Sequence, residues 1–173
     1  MLQQTQVATV KTYYAAFLER FPTVADLARA EEAEVMRLWA GLGYYSRARN
    51  LHRCAQQVVQ DWGGRFPQTA KDLQTLAGIG PSTAAAIASF CFGERVAILD
   101  GNVKRVLARY HAVEGWPGQL DVARQLWEIA ENYTPKTRVN HYTQAMMDLG
   151  ATLCTRSKPK CDACPLSGGC NAS

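Results

Sequence analysis

Four of the six cysteines in this 173-residue chain are gathered near its end, at Cys154, Cys161, Cys164 and Cys170. Their spacing is C-x6-C-x2-C-x5-C, and Pro165 with the Gly168-Gly169 pair supplies bends that let four thiolates converge on one centre. A secreted disulfide scaffold distributes its cysteines differently, so this cluster reads as a metal site in a cytoplasmic protein. The spacing alone leaves two chemistries open, a closed four-thiolate zinc site or an iron–sulfur cluster. Cys54 and Cys91 stand alone in apolar, helix-like surroundings and are expected to be inert core residues.

A second run with chemical content is Leu76-Ala77-Gly78-Ile79-Gly80-Pro81-Ser82-Thr83-Ala84. Two glycines flank one aliphatic residue, a proline suited to a first helical turn follows, and then comes a run of small residues (Ala84, Ala85, Ala86, Ala88). Glycine permits a tight turn and the close approach of another backbone. The unpaired N–H groups at the following helix start favour an anion. The run is therefore either a plain helix–turn–helix or a sequence-independent clamp on a DNA phosphate. Further along, Ile98-Leu99-Asp100-Gly101-Asn102-Val103-Lys104-Arg105 opens another helix. On the residues alone, Asp100 reads as an N-cap accepting from an amide two or three positions on.

The elements that must carry these residues all read as short helices. Val7, Val10, Tyr14, Phe17 and Leu18 recur at helical spacing until Phe21-Pro22. Thr23 with Asp26, and Thr69 with Asp72, make capping-box starts. Further helices are expected around 35–39, 48–59, 82–91, 101–110, 121–133 and 137–149. The segment 94–99, ERVAIL, has strand character but nothing nearby to pair with, so an all-α fold is expected. Two helical lobes are expected, 1–96, containing the hairpin at about 69–91, and 97–173, with the aspartate and the cysteine loop at 154–170. Net charge is +4, which permits nucleic acid as a partner. Basic residues cluster at Arg47, Arg49 and Arg53, at Lys104, Arg105 and Arg109, and at Arg156, Lys158 and Lys160, a distribution that suits phosphate contacts. No apolar run approaches membrane-spanning length, and the N-terminus lacks the pattern of a signal peptide.

Taken together, the hairpin, the aspartate and the cysteine spacing resemble the helix-hairpin-helix DNA glycosylase superfamily, and most of all its MutY-type adenine glycosylases. The family hairpin pattern, Leu-x-Gly-(Val/Ile)-Gly before a small-residue helix, is present in full. The resemblance implies that Gly78, Gly80 and Ser82 bind DNA. It makes Asp100 and Asn102 the catalytic residues, Asp100 as the carboxylate, in a V/I-D-x-N/H-V-x-R-V setting where Leu99 replaces the V/I. Cleavage of an N-glycosidic bond leaves positive charge on the sugar, and a carboxylate beneath it stabilises that cation. Lys104 and Arg105 are expected to reach backbone phosphates. Endonuclease III-type lyases carry a lysine where this chain has Ser82, and a hydroxyl cannot form their Schiff base, which implies a monofunctional enzyme. Met1-Leu2-Gln3-Gln4-Thr5-Gln6-Val7 and the run from Leu42 to Leu51 resemble family segments that enter the duplex, with Gln4 and Tyr44 as wedges that help to extrude the base. Gln144 would line the adenine pocket, and the cysteine spacing implies a [4Fe–4S] cluster.

These likenesses imply a monomer in the bacterial cytoplasm, at the nucleoid, that acts on double-stranded DNA carrying an adenine:8-oxoguanine or adenine:guanine mispair. The family pattern also places a general acid/base glutamate two residues before the Met1 run and a further lobe beyond Ser173. On that pattern the chain is expected to be a catalytic-core fragment that binds DNA and excises adenine poorly or not at all. The alternatives are a non-catalytic DNA-binding fragment, an endonuclease III-type glycosylase/lyase or a thymine-mismatch glycosylase on the same scaffold, and a zinc-stabilised structural protein.

Overall fold

The structure, a computed structural model, describes residues 1–3 and 5–172. Every regular element among them is helical, so the 94–99 segment forms no strand. The chain separates into two compact units, Met1–Pro67 with Asp72–Ile79, and Gln68–Lys71 with Gly80–Ser173.

In the first unit, α1 (Val7–Arg20), α2 (Val24–Arg29), α3 (Glu32–Trp39) and α4 (Ser46–Trp62) surround an aromatic core. Phe17 meets Phe21 and Trp39 edge-on, at centroid distances of 5.5 and 5.9 Å, an arrangement that aromatic quadrupoles favour. Val35, Leu42 and Ala48 complete it. The capping box expected at Thr23 is formed: the Thr23 hydroxyl accepts from the Asp26 amide, and the Asp26 carboxylate accepts from the Thr23 amide, each at 3.1 Å. α4 buries Ala48, Ala55 and Val58 and stops at Gly63, whose φ of +60° suits a residue without a Cβ. A single helical turn, α5 (Ala70–Leu73), lies where the two units divide the chain.

The second unit contains α6 (Pro81–Phe92), α7 (Gly101–Tyr110), α8 (Leu120–Tyr133) and α9 (Val139–Thr152), then two 3-10 turns, Cys161–Ala163 and Ser167–Gly169. The helix of small residues, grouped by its sequence position with an N-terminal lobe ending near 96, packs in this unit against α9. Ser89 and Thr143 share a buried hydrogen bond of 3.3 Å between these two helices. The core collects Ala97, Ile98 and Leu99 with Val103, Val106 and Leu107 of α7, Val122, Leu126 and Ala130 of α8, and Met146 of α9. The apolar half of ERVAIL thus serves as buried filling ahead of α7.

α7 and α9 cross at a notch. A Cβ on Gly150 would lie 2.6 Å from the Asn102 Cβ and 2.9 Å from its carbonyl oxygen, so only glycine allows this approach. No helix among the described residues is long and apolar enough to cross a membrane.

Candidate functional site

The glycine run is shaped by different constraints at its two glycines. Gly78 has φ +76°, and a Cβ there would meet the Asn50 Cβ at 2.8 Å. Nearby, the Ala77 amide donates to the Gln57 side-chain carbonyl at 2.7 Å and the Ile79 amide to the Leu76 carbonyl at 3.2 Å. The turn is therefore bound to α4 by backbone geometry that only glycine fits. Gly80, in the second unit, has φ −82° and ψ 175° as the N-cap of α6. It has open space where a Cβ would project. Pro81 follows at the first helical position, Ser82 is half-buried in the first turn, and no acidic residue stands there. The amides of a first helical turn have no intrahelical acceptor, so this helix start presents donors without a competing negative charge.

Asp100 is the N-cap of α7, its Oδ1 accepting from the Val103 amide at 2.8 Å. The capping role read from the residues is therefore real, and it occupies one oxygen. Oδ2 takes no hydrogen bond among the described residues, and the residue is only partly buried. Buried Ile98 and Leu99 fix the chain just before it. The Asn102 side-chain carbonyl accepts from Arg105 Nη2 at 2.8 Å, and its backbone lies in the Gly150 notch.

The phosphate role expected of Arg105 is corrected by its geometry. Its guanidinium donates to the carbonyls of Gly150 at 2.6 Å and Cys154 at 2.7 Å, tying the end of α9 to α7. Arg109 is likewise committed, to the carbonyls of Thr155 at 2.8 Å and Arg156 at 3.1 Å and to the Cys154 sulfur at 3.4 Å. Arg47 binds carbonyls within the first unit, and Arg49 lies 3.6 Å from Glu32. Among the described residues Lys104 makes no side-chain hydrogen bond or ion pair, so within its cluster it is the cation left for an external anion. The sequence carried no signal separating Lys104 from its neighbours, because carbonyl acceptors are assembled only by tertiary packing.

Tyr44 stands 65 % exposed on a turn with φ +47°. Gln4 lies outside the described residues. Gln144 is on the exposed face of α9 and donates to the Asp148 carboxylate at 2.8 Å, while Thr143 and Met146 face inward.

Cys154, Cys161, Cys164 and Cys170 line one cavity of about 150 Å³, walled by Val106, Leu149, Leu153 and Leu166. A single tetrahedral zinc draws four sulfurs to a point about 2.3 Å away, whereas four thiols set around a cavity suit a multi-atom cluster. Arg109 adds a donor beside one sulfur. The residues present therefore fit a [4Fe–4S] group, which these four would hold. Cys54 is buried, as expected, and burial pushes its thiol pKa up. Cys91 departs from the expectation: it is exposed in the last turn of α6, where burial has ended at Ser89.

Residues 1–132 match the family described as HhH-GPD superfamily base excision DNA repair protein, and residues 154–170 match the iron-sulfur binding domain of endonuclease III. The chain is 49% identical over 173 residues to a human protein named adenine DNA glycosylase, covering 99% of this chain and 32% of that one. It is 44% identical over 172 residues to the adenine DNA glycosylase of Buchnera aphidicola subsp. Baizongia pistaciae, covering 99% of this chain and 48% of that one. Among solved structures, a thermostable thymine-DNA glycosylase superposes with a TM-score of 0.87 at 31% identity, covering 99% of this chain and 79% of that one. The chain thus spans between about a third and a half of the length of these curated relatives.

Proposed function

The chain belongs to the HhH-GPD superfamily of base excision DNA repair proteins, and from that premise we propose that it is the core of a monofunctional DNA glycosylase that removes adenine mispaired with 8-oxoguanine or guanine. The observation that carries the reading is the half-engaged carboxylate of Asp100, one oxygen capping α7 and the other without a partner among the described residues. The adenine specificity is carried over from the relatives so named.

In this reading the α6 N-terminus at Gly80 holds one backbone phosphate, Lys104 holds another, and Gln4 and Tyr44 wedge the stack apart so that the adenine leaves the helix. Gln144 lines the pocket that receives the base. As the C1′–N9 bond breaks, its electron pair departs with adenine and positive charge spreads over C1′ and the ring oxygen. The Asp100 carboxylate stabilises that cation. Water then adds to C1′, and the proton it loses neutralises the departed adenine, leaving an abasic site. Asn102 holds Arg105 and thereby the start of α7. Ser82 offers no amine, so no Schiff base forms and the strand stays intact. Cys154, Cys161, Cys164 and Cys170 would hold a [4Fe–4S] cluster, which would order the loop that carries Arg156, Lys158 and Lys160.

The test is a duplex with one adenine:8-oxoguanine pair, incubated with excess protein and then treated with hot alkali. Breakage at the adenine that Asp100→Asn abolishes supports the reading, as does the absence of a borohydride-trapped adduct. An adduct, or equal breakage by Asp100→Asn, overturns it.

A further inference from the structure

Arg47, in the first turn of α4, is the most heavily engaged cation of the first unit. Its Nη1 donates to the carbonyls of Met1, at 2.8 Å, and Gln3. Its Nη2 donates to the Thr5 hydroxyl at 3.0 Å and to the carbonyls of Leu42 at 3.1 Å and Gly43 at 3.3 Å. The guanidinium carbon also lies 5.3 Å from the Trp39 ring centre and 5.5 Å from that of Tyr44. One planar cation thus joins two stretches far apart in sequence, the N-terminal segment on both sides of position 4 and the turn at 42–44. Its Nε is buried without a partner, so this joint carries a cost of its own.

What the joint holds is unusual. Tyr44 is a non-glycine residue in the left-handed region, and the residue is 65 % exposed. Such a conformation is disfavoured for a residue with a Cβ and persists where its surroundings over-determine it. Gly43, with φ +69°, bends the chain just ahead of Tyr44. The Trp39 indole N–H donates to the Gly43 carbonyl at 3.0 Å, the same oxygen that Arg47 grips. A fold with no use for a solvent-facing aromatic would not need it fixed in a strained turn. An aromatic fixed outward is a stacking platform for a base, and fixing it beforehand removes ordering cost from binding.

We infer that Arg47 is a positioning residue for mispair recognition, holding the Tyr44 ring and residues 1–3 and 5 in their DNA-engaging arrangement without itself touching DNA. This rests on the reading of Tyr44 as a wedge given above. Lysine cannot replace it, because a single ammonium lacks the planar fork that spans acceptors on two segments.

The test is a double-mutant cycle on the cluster-loaded chain, reading affinity by fluorescence anisotropy for an adenine:8-oxoguanine duplex and a fully paired duplex, with circular dichroism to confirm folding. Arg47→Ala and Tyr44→Ala should each weaken binding to the mispaired duplex by about tenfold, within the range of one lost base–aromatic stack. The double variant should be no weaker than the worse single, since residues acting through one another are non-additive. Arg47→Lys should fold and bind as poorly as Arg47→Ala, and it replaces Arg47→Ala in the cycle if that variant does not fold. Losses that multiply in the double variant, or an Arg47→Lys protein that binds like the parent, overturn the inference while the wedge reading stands. A Tyr44→Ala protein that binds like the parent overturns the wedge itself and this inference with it.

Discussion

Replacing each hairpin glycine by alanine should separate holding the fold from holding DNA. At Gly78 the φ of +76° places an L-residue in the left-handed region, at a cost of roughly 1–2 kcal/mol. The new methyl would start 2.8 Å from the Asn50 Cβ, and relieving such overpacking costs roughly 1–3 kcal/mol more. Gly78→Ala should therefore lose about 2–5 kcal/mol, on the order of 5–15 °C in melting temperature for a chain of this size. Gly80 is the opposite case, with extended backbone angles and nothing within 4 Å of the added carbon. Alanine there gains about 0.4–1 kcal/mol from a less disordered unfolded chain and gives back about as much as a poorer N-cap. Its melting temperature should hardly move.

If the α6 amides hold a phosphate, as proposed, a Gly80 methyl would crowd its approach. Losing one hydrogen bond to a charged group is worth roughly 1.5–3 kcal/mol, so DNA affinity should drop at least about tenfold. The assay is a thermal melt by circular dichroism beside anisotropy on one duplex at fixed salt, since affinity without the salt concentration has no meaning. A Gly80→Ala protein that binds DNA within twofold of the parent would refute the phosphate clamp. An unchanged melt for Gly78→Ala would refute the geometric argument itself.

Arg105→Ala removes donors from the Gly150 and Cys154 carbonyls, and bonds from a cation are worth roughly 1.5–3 kcal/mol each; the visible absorbance of the cluster should be lost at a lower temperature than in the parent, and an unchanged loss profile would show that the tie is dispensable. Thiol labelling of the folded, cluster-loaded chain should reach exposed Cys91 first and leave Cys54 untouched, because burial raises the Cys54 pKa and keeps it as the neutral thiol; early modification of Cys54 would contradict its placement. The Thr23 hydroxyl bond, helped by Arg29, lowers the Asp26 pKa. Its contribution is therefore present above about pH 4 and lost as pH falls through the lowered value. The melting-temperature gap between the parent and Asp26→Asn should be widest near neutral pH and close in acid, whereas a gap that widens in acid would reverse the assigned sign.

What could be read from residue order was whatever is decided locally. The Thr23 capping box, the stop at Gly63, the proline opening α6 and the aspartate capping α7 depend on neighbours within a turn or two, and all are found where the spacing puts them. The four-cysteine loop was legible for the same reason, its ligands lying close together in the chain. Tertiary packing decided the rest. Arg47, Arg105 and Arg109 read as surface cations until carbonyls from distant segments are seen to receive them. The packing of α6 against α9 pairs residues such as Ser89 and Thr143, which local periodicity cannot connect. Gly150 resembles an ordinary helical glycine until Asn102 is found against it. Cys91 sits among apolar neighbours yet beyond the reach of the core.

The most direct measurement sets Asp100 and Asp100→Asn against two DNA duplexes, one holding a cationic pyrrolidine in place of the reacting sugar and one a neutral tetrahydrofuran. Asparagine caps a helix as well as aspartate does, so the substitution removes the charge and keeps the start of α7. If the carboxylate lies beneath the sugar, the variant should lose at least about tenfold in affinity for the cation and bind the neutral analogue as the parent does. Equal binding of both duplexes by both proteins would leave Asp100 with its helix cap alone and remove the chemical basis of the glycosylase assignment.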